Sequence, residues 1–307
     1  MAEKDITEKM LESFPDVFAD IVNVLIYKGK QVVKPEDLQD MNTWEAYKSQ
    51  AGLGYMERDV AKWWNSNNIH IASVGIENQS AEDNRMVLRV YGYDGVEYRN
   101  QCTEENRKHP AYPVITLVLY FGTDHRWKAP KTLYNTVHLS DELKPYVTNV
   151  KINVFNIAWL TPEQVSQFKS DFRIVADYFT QVRKTGKYTG SQDKIEHIYQ
   201  VLKLLSVMQN DDRFIKAWYD TKTKGEPHTM CDVLDRLEEK VLEKAEKDFA
   251  KEKKNMEKNF AKEKEEMQES IAKKMLAAGM SRSEVAECCG LSMAKISRLA
   301  KLVAAVV

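Results

Sequence analysis

Asp59 and the tripeptide Glu77-Asn78-Gln79 are the residues of this sequence whose types and spacing suit chemistry. Residues two apart on a strand share a face. Glu77 and Gln79 therefore project together with Ser73 and Gly75, while Ala72, Val74 and Ile76 point to the core side. If two strands here pair as an antiparallel hairpin, Asp59 lies close to Glu77. Two carboxylates so placed make a hard, oxygen-rich site for Mg²⁺, Mn²⁺ or Ca²⁺. A third acid is expected from the first helix, with Asp20 the candidate and Asp16 behind it. Such a site suits phosphodiester hydrolysis, because the cation polarises a phosphoryl oxygen and activates water. Gln79 could orient that water or donate to the phosphate, but carries no charge. Spacing alone leaves open a plainer alternative, surface acids paired with Arg58 or Lys62.

The elements that must position these groups follow from periodicity. Phe14, Val17, Phe18, Ile21, Val22 and Leu25 recur at helical spacing, with Pro15 in the first turn and Gly29 as the stop. Residues 31–55 mix Pro, Gly and polar types and are expected to be loop with a short strand. Residues 58–64 and 69–78 read as a hairpin around a turn at Asn65, Ser66, Asn67 and Asn68. A helix is expected over 85–102, carrying Met86, Val87, Val90 and Arg89. The run Val114 to Gly122 is apolar and rich in β-branched and aromatic residues, as in a strand buried on both faces. Strand, helix and strand in that order imply a parallel pair. The fold class is therefore α/β with a mixed sheet. Residues 123–148 read as a loop-rich excursion, 150–159 as a further strand, and 162–184, 192–209 and 211–220 as helices. Thr161, Pro162 and Gln164 form a helix-start signature.

From Asp235 to Ser270 Lys and Glu are interspersed, and the sparse apolar residues Leu242, Phe249, Met256, Phe260 and Met267 fall at intervals of seven and four. That fits either a weak coiled coil, which would make a homodimer, or a solvated single helix held by Glu–Lys pairs. Residues 271–307 read as three short helices resembling a helix-turn-helix. Gly279 and Gly290 are its stops, Ser281 with Glu284 forms a capping box, and Lys295 and Arg298 could meet phosphate. The alternative for this segment is a small helical cap. The expected division is 1–160 for the catalytic-type domain, 161–232 for a helical extension packed on it, 233–270 for the charged helix and 271–307 for the end segment.

The net charge of −1 over 307 residues excludes a whole-chain polyanion binder, so DNA affinity must come from local basic groups such as Arg89, Lys295 and Arg298. The four cysteines have no CxxC spacing and are expected as reduced thiols rather than zinc ligands. The polar N-terminus and the lack of a long apolar run lead to the expectation of a cytoplasmic protein without membrane contact.

Three runs carry a resemblance. They are Glu57-Arg58-Asp59-Val60, then Ile71-Ala72-Ser73-Val74-Gly75-Ile76-Glu77-Asn78-Gln79, then Leu88-Arg89-Val90-Tyr91-Gly92-Tyr93-Asp94. With Phe18-Ala19-Asp20-Ile21-Val22-Asn23, Val33-Lys34-Pro35-Glu36-Asp37-Leu38 and the 114–122 strand, they resemble the Rpn family of recombination-promoting nucleases and transposases over about residues 10–125. The resemblance implies a PD-(D/E)xK restriction-endonuclease-like core and a divalent-metal-dependent DNA endonuclease linked to recombination or mobile DNA. It implies Asp59 as the first motif acid, Glu77 and Gln79 as an E-x-Q form of the second, and Asp20 as the helix-borne acid. Gln79 stands where the commonest pattern has Lys, and no Pro precedes Asp59. A catalytically silent DNA-binding or assembly protein on the same fold is the rival expectation.

Overall fold

The computed structural model describes residues 10–41, 44–49, 52–66, 69–219 and 228–304. The turn expected at Asn67 and Asn68, and the last residue of the helix expected over 211–220, lie outside the described residues. The chain divides into two compact units, one reaching to Leu237 and one beginning at Glu238.

The first unit is built on a mixed five-stranded sheet. Its strands are β1 (Leu38–Asp40), β4 (Val60–Ser66), β5 (Ile69–Gln79), β6 (Val114–Tyr120) and β7 (Asn153–Asn156), side by side in that order. β1, β4 and β5 run antiparallel, whereas β5, β6 and β7 run parallel. Helix α1 (Pro15–Leu25) follows a single 3-10 turn, Leu11–Ser13, and has Pro at its start, where a missing N–H costs nothing. Helix α2 (Met86–Asn100) is the crossover between β5 and β6.

Strand alternation decides which helix covers which face. Val74, Ile76, Leu117 and Leu119 join Val17, Phe18, Ile21 and Val22 of α1 in the larger core. Val118 and Tyr120 point the other way and pack with Met86, Val87 and Val90 of α2. The sheet is thus covered on both faces, which explains the unbroken apolar run in β6. After a short helix, α3 (Leu133–Thr136), come α4 (Pro162–Gln167), α5 (Phe172–Thr185), α6 (Ile198–Gln209) and α7 (Arg213–Tyr219). Phe168, Phe172, Phe179, Val201 and Leu205 from this region belong to the α1 core, so the helical extension packs on the sheet.

Several expectations need correction. Residues 31–55 are not mainly loop, because β2 (Trp44–Ser49) and β3 (Gly52–Glu57) pair as a separate antiparallel hairpin. The helix expected over 162–184 is two helices, since the chain breaks at Phe168 to bury that ring. The strand expected over 150–159 is regular only at 153–156 and tightens into a 3-10 turn at Ile157–Trp159.

Helix α8 (Met230–Ala277) runs without a break through the boundary expected near residue 270. Its first turns supply Met230 and Val233 to the main core. In the second unit its end packs with α9 (Arg282–Cys289) and α10 (Met293–Ala304) around Ala272, Val285, Cys289, Ile296 and Leu299. Ser281 and Glu284 form the expected capping box, and Gly279 and Gly290 take the positive φ values (90° and 62°) that stop their helices.

Candidate functional site

The β4–β5 register sets the acids. Val60 pairs with Ile76 and Ala61 with Gly75, so one step further the ladder brings Asp59 opposite Glu77 on the α2 side of the sheet. Asp59 Oδ2 accepts a 2.7 Å hydrogen bond from the backbone N–H of Asn78, which fixes the carboxylate at the end of β5. Glu77 is 1% exposed. Its Oε2 accepts from Arg89 of α2 at 3.1 Å, and its Oε1 has no hydrogen-bond partner. Burial, followed by the negative charge of Asp59, pushes the Glu77 carboxyl up to about 8, against partial opposition from Arg89 and Arg58.

Asn78 points to the other face. Its Nδ2 donates at 3.1 Å to Oε1 of Glu12, in the 3-10 turn before α1. Glu12 is fully buried and its Oε2 has no partner. Burial first, and the Asp59 charge after it, raise Glu12 to about 7. One residue, Asn78, therefore ties Asp59 through its backbone and Glu12 through its side chain. Sequence reasoning did not single out Glu12.

Gly75 and Arg58 shape the approach to Asp59. A Cβ at Gly75 would stand 3.0 Å from Arg58 Nη1 and 3.1 Å from its Cδ, so the bare backbone leaves the lane Arg58 uses to cross the sheet. Arg58 there pairs with Asp94 of α2 at 3.0 Å and lies over the Tyr93 ring. Asp94 also accepts from the Thr116 hydroxyl at 2.7 Å. Lys62 pairs with Asp40. The two cations that spacing offered as partners for a surface acid pair thus have these partners instead.

The remaining predicted residues are placed as follows. Gln79 ends β5 on the Glu77 side, half-buried. Asp20 is engaged elsewhere: its Oδ2 accepts from the backbone N–H groups of Lys169 and Ser170, both at 2.7 Å, so it holds the segment entering α5. Burial raises its carboxyl, and those N–H donors pull it part of the way back. Arg89, expected to face phosphate, donates to Glu77 and to Asp83 while 41% exposed. In the second unit Lys295 is held by Glu265 and by Glu269, the latter at 2.8 Å, so its ammonium is neutralised within the unit. Arg298 is exposed.

A second group is mixed in type. Asp16, Glu196 and His197 bring one potential ligand atom each to within 4.8 Å of one another, the one such triad of His, Cys, Asp or Glu among the described residues. His197 Nε2 is 3.6 Å from Asp16 Oδ2, the ring stacks on Phe14 at 3.8 Å, and Asp171 accepts from the backbone N–H of His197 at 2.6 Å. These groups could hold a cation. Glu12, Asp59 and Glu77 are coupled by charge without forming a triad of that tightness.

No helix among the described residues is long and apolar enough to cross a membrane. No curated protein and no solved structure matches the chain. Residues 65–214, which carry Glu77, Gln79 and Arg89, match the family model described as "Putative transposase, YhgA-like", so over that stretch the chain is similar to that family, in agreement with the resemblance read from its motifs.

Proposed function

We propose that the end of β5 is a divalent-cation site and that the protein is a metal-dependent DNA endonuclease. The observation that supports this most is the pair of buried carboxyls, Glu12 and Glu77, each with one oxygen lacking any partner and both coupled to Asp59. A buried carboxylate oxygen without a partner is costly unless a proton or a cation serves it. A hard cation fits that need, and the donor set is all oxygen, as Mg²⁺, Mn²⁺ and Ca²⁺ prefer. Asp59 and Glu77 would hold the ion with Gln79 beside them, and Glu12, tied to the other face of β5 by Asn78, would act on the site through its charge. When bound, the metal would polarise the scissile phosphate and make water a usable nucleophile at neutral pH. Gln79 would orient that water through its amide. Arg85, exposed one helical turn before Arg89, offers positive charge toward the DNA backbone. The similarity to transposase-like proteins agrees with DNA as the substrate and with a role on mobile DNA.

The test is cleavage of supercoiled plasmid by purified protein with Mg²⁺, Mn²⁺ or Ca²⁺. Asp59→Asn, Glu77→Gln and Glu12→Gln keep size and most hydrogen bonding and should melt normally while losing cutting. Equal cutting by wild type and all three variants would reject the site. Salt-dependent DNA binding without cleavage under any metal would instead favour the silent-binder reading.

A further inference from the structure

Arg89 occupies the carboxylate that the proposed cation needs. Its Nη2 lies 3.1 Å from Glu77 Oε2, and Glu77 is otherwise sealed from solvent. A hard cation requires carboxylate oxygens at about 2.0–2.6 Å. A guanidinium against the same group would stand beside a dication and be repelled by it. Only Oε1 remains without a partner. A cation that takes both oxygens of Glu77 therefore has to displace Arg89 from Oε2.

The surroundings give Arg89 somewhere to go. Its side chain is 41% exposed, so it reaches Glu77 from the rim of the site rather than from the core. Asp83, itself partly exposed, lies 3.4 Å from Nη1, and the Tyr93 hydroxyl lies 3.4 Å from Nη2. Release from Glu77 would leave the guanidinium tethered at the rim by Asp83. Arg85 stands one turn earlier on the same face of the helix and is exposed. A planar, permanently charged fork at that position suits a phosphate oxygen pair.

We infer that Arg89 is a displaceable partner of Glu77: it holds Oε2 in the metal-free protein, is expelled by the cation, and then binds a backbone phosphate of the DNA. This rests on the cation-site reading above and adds an order of events, so that DNA engagement by Arg89 follows cation loading. Arg89 is a DNA-binding residue in this scheme. It makes the metal-free protein a poor ligand for DNA at this point and couples the two binding steps.

The experiment uses full-length protein and phenylglyoxal, with the adduct at Arg89 measured by peptide mass spectrometry against that at exposed Arg298. With chelator, Arg89 should react slowly. Ca²⁺ should raise its relative rate at least ~5-fold, and Ca²⁺ with excess duplex DNA should return it to the slow level. In Glu77→Gln the response to Ca²⁺ should vanish. Calorimetry on the same samples reports whether Ca²⁺ binds. Binding of Ca²⁺ with no change at Arg89 would overturn the displacement while leaving the cation site intact. A Ca²⁺-induced rise that DNA fails to reverse would overturn the phosphate step and with it the proposal. Absence of Ca²⁺ binding would overturn both this inference and the reading beneath it.

Discussion

Cation binding at the end of β5 must expel protons, and the two buried carboxyls set how many. Glu77 is raised to about 8 and Glu12 to about 7, in each case mainly by burial. At pH 7 a group titrating at 8 is ~0.9 protonated and one titrating at 7 is ~0.5 protonated, so a cation that ionises both releases ~1.4 protons. The same populations make the apparent affinity rise ~50-fold from pH 6 to 7, ~10-fold from pH 7 to 8 and only ~2-fold from pH 8 to 9. Isothermal calorimetry with Ca²⁺, repeated at one pH in buffers of different ionisation enthalpy, counts the protons directly. Of the ~1.4 protons released by the wild type at pH 7, Glu77→Gln should leave ~0.5 and Glu12→Gln ~0.9. Binding that releases no protons, with affinity flat between pH 6 and 8, would refute the assignment of the ion to these carboxyls. Release that disappears with Glu77→Gln but is untouched by Glu12→Gln would remove Glu12 alone from the site.

The same shifts predict the stability of the metal-free protein. A carboxyl raised above its unfolded value keeps its proton in the folded state when the unfolded chain has lost it, so stability is fullest at low pH and falls as pH rises from about 4.5 to about 8. Chemical denaturation should show a loss of at least ~2 kcal/mol between pH 5.5 and 8.5, reversed by Ca²⁺ at the higher pH, and a flat or rising profile would contradict the burial of these acids. Asp20→Ala removes the acceptor for two backbone N–H groups and should cost ~2 kcal/mol in denaturant while leaving Ca²⁺ affinity unchanged. Arg298→Ala should reduce the salt slope of DNA binding by ~1, whereas Lys295→Ala should leave the slope alone and lower the melting point. Leu242, Phe249, Met256, Phe260, Met267 and Ile271 are all exposed on α8, and sedimentation should report a dimer that Phe249→Glu with Phe260→Glu breaks; an unchanged dimer would remove the coil from self-association.

The fold was legible where burial imposes a period. α1, β5, α2 and β6 each carry an apolar pattern dictated by the face they cover; the predicted ends of β5, α2 and β6 fall within two residues of the observed ones, while α1 ends at Leu25, ahead of the expected stop at Gly29. The parallel pairing of β5 with β6 followed from the helix between them. The β2–β3 hairpin was not legible, because Gly52 and Gly54 interrupt any β-branched run and its strands join no larger sheet. The break between α4 and α5 was hidden too. Its cause is a tertiary one, the burial of Phe168 and the capture of the Lys169 and Ser170 N–H groups by Asp20.

The site divides along the same line. Asp59 and Glu77 could be paired from sequence because a hairpin register is local arithmetic. Glu12 could not be linked to them, because its tie is a contact spanning 66 residues, from Asn78 to Glu12. Asp20 had the better helical context, and its Oδ2 is taken by the Lys169 and Ser170 N–H groups. Asn78 looked incidental, lying between the two residues of interest and facing the opposite way. That alternation is what makes it useful. A residue whose backbone belongs to one face and whose side chain enters the other can hold two carboxylates on opposite sides of one strand, and the charge of Asp59 then raises both. Asn78→Ala should accordingly weaken cation binding through Glu12 alone, since the backbone bond to Asp59 survives the substitution. If instead it abolished binding as thoroughly as Asp59→Asn, the two faces would be coupled through more than this one side chain.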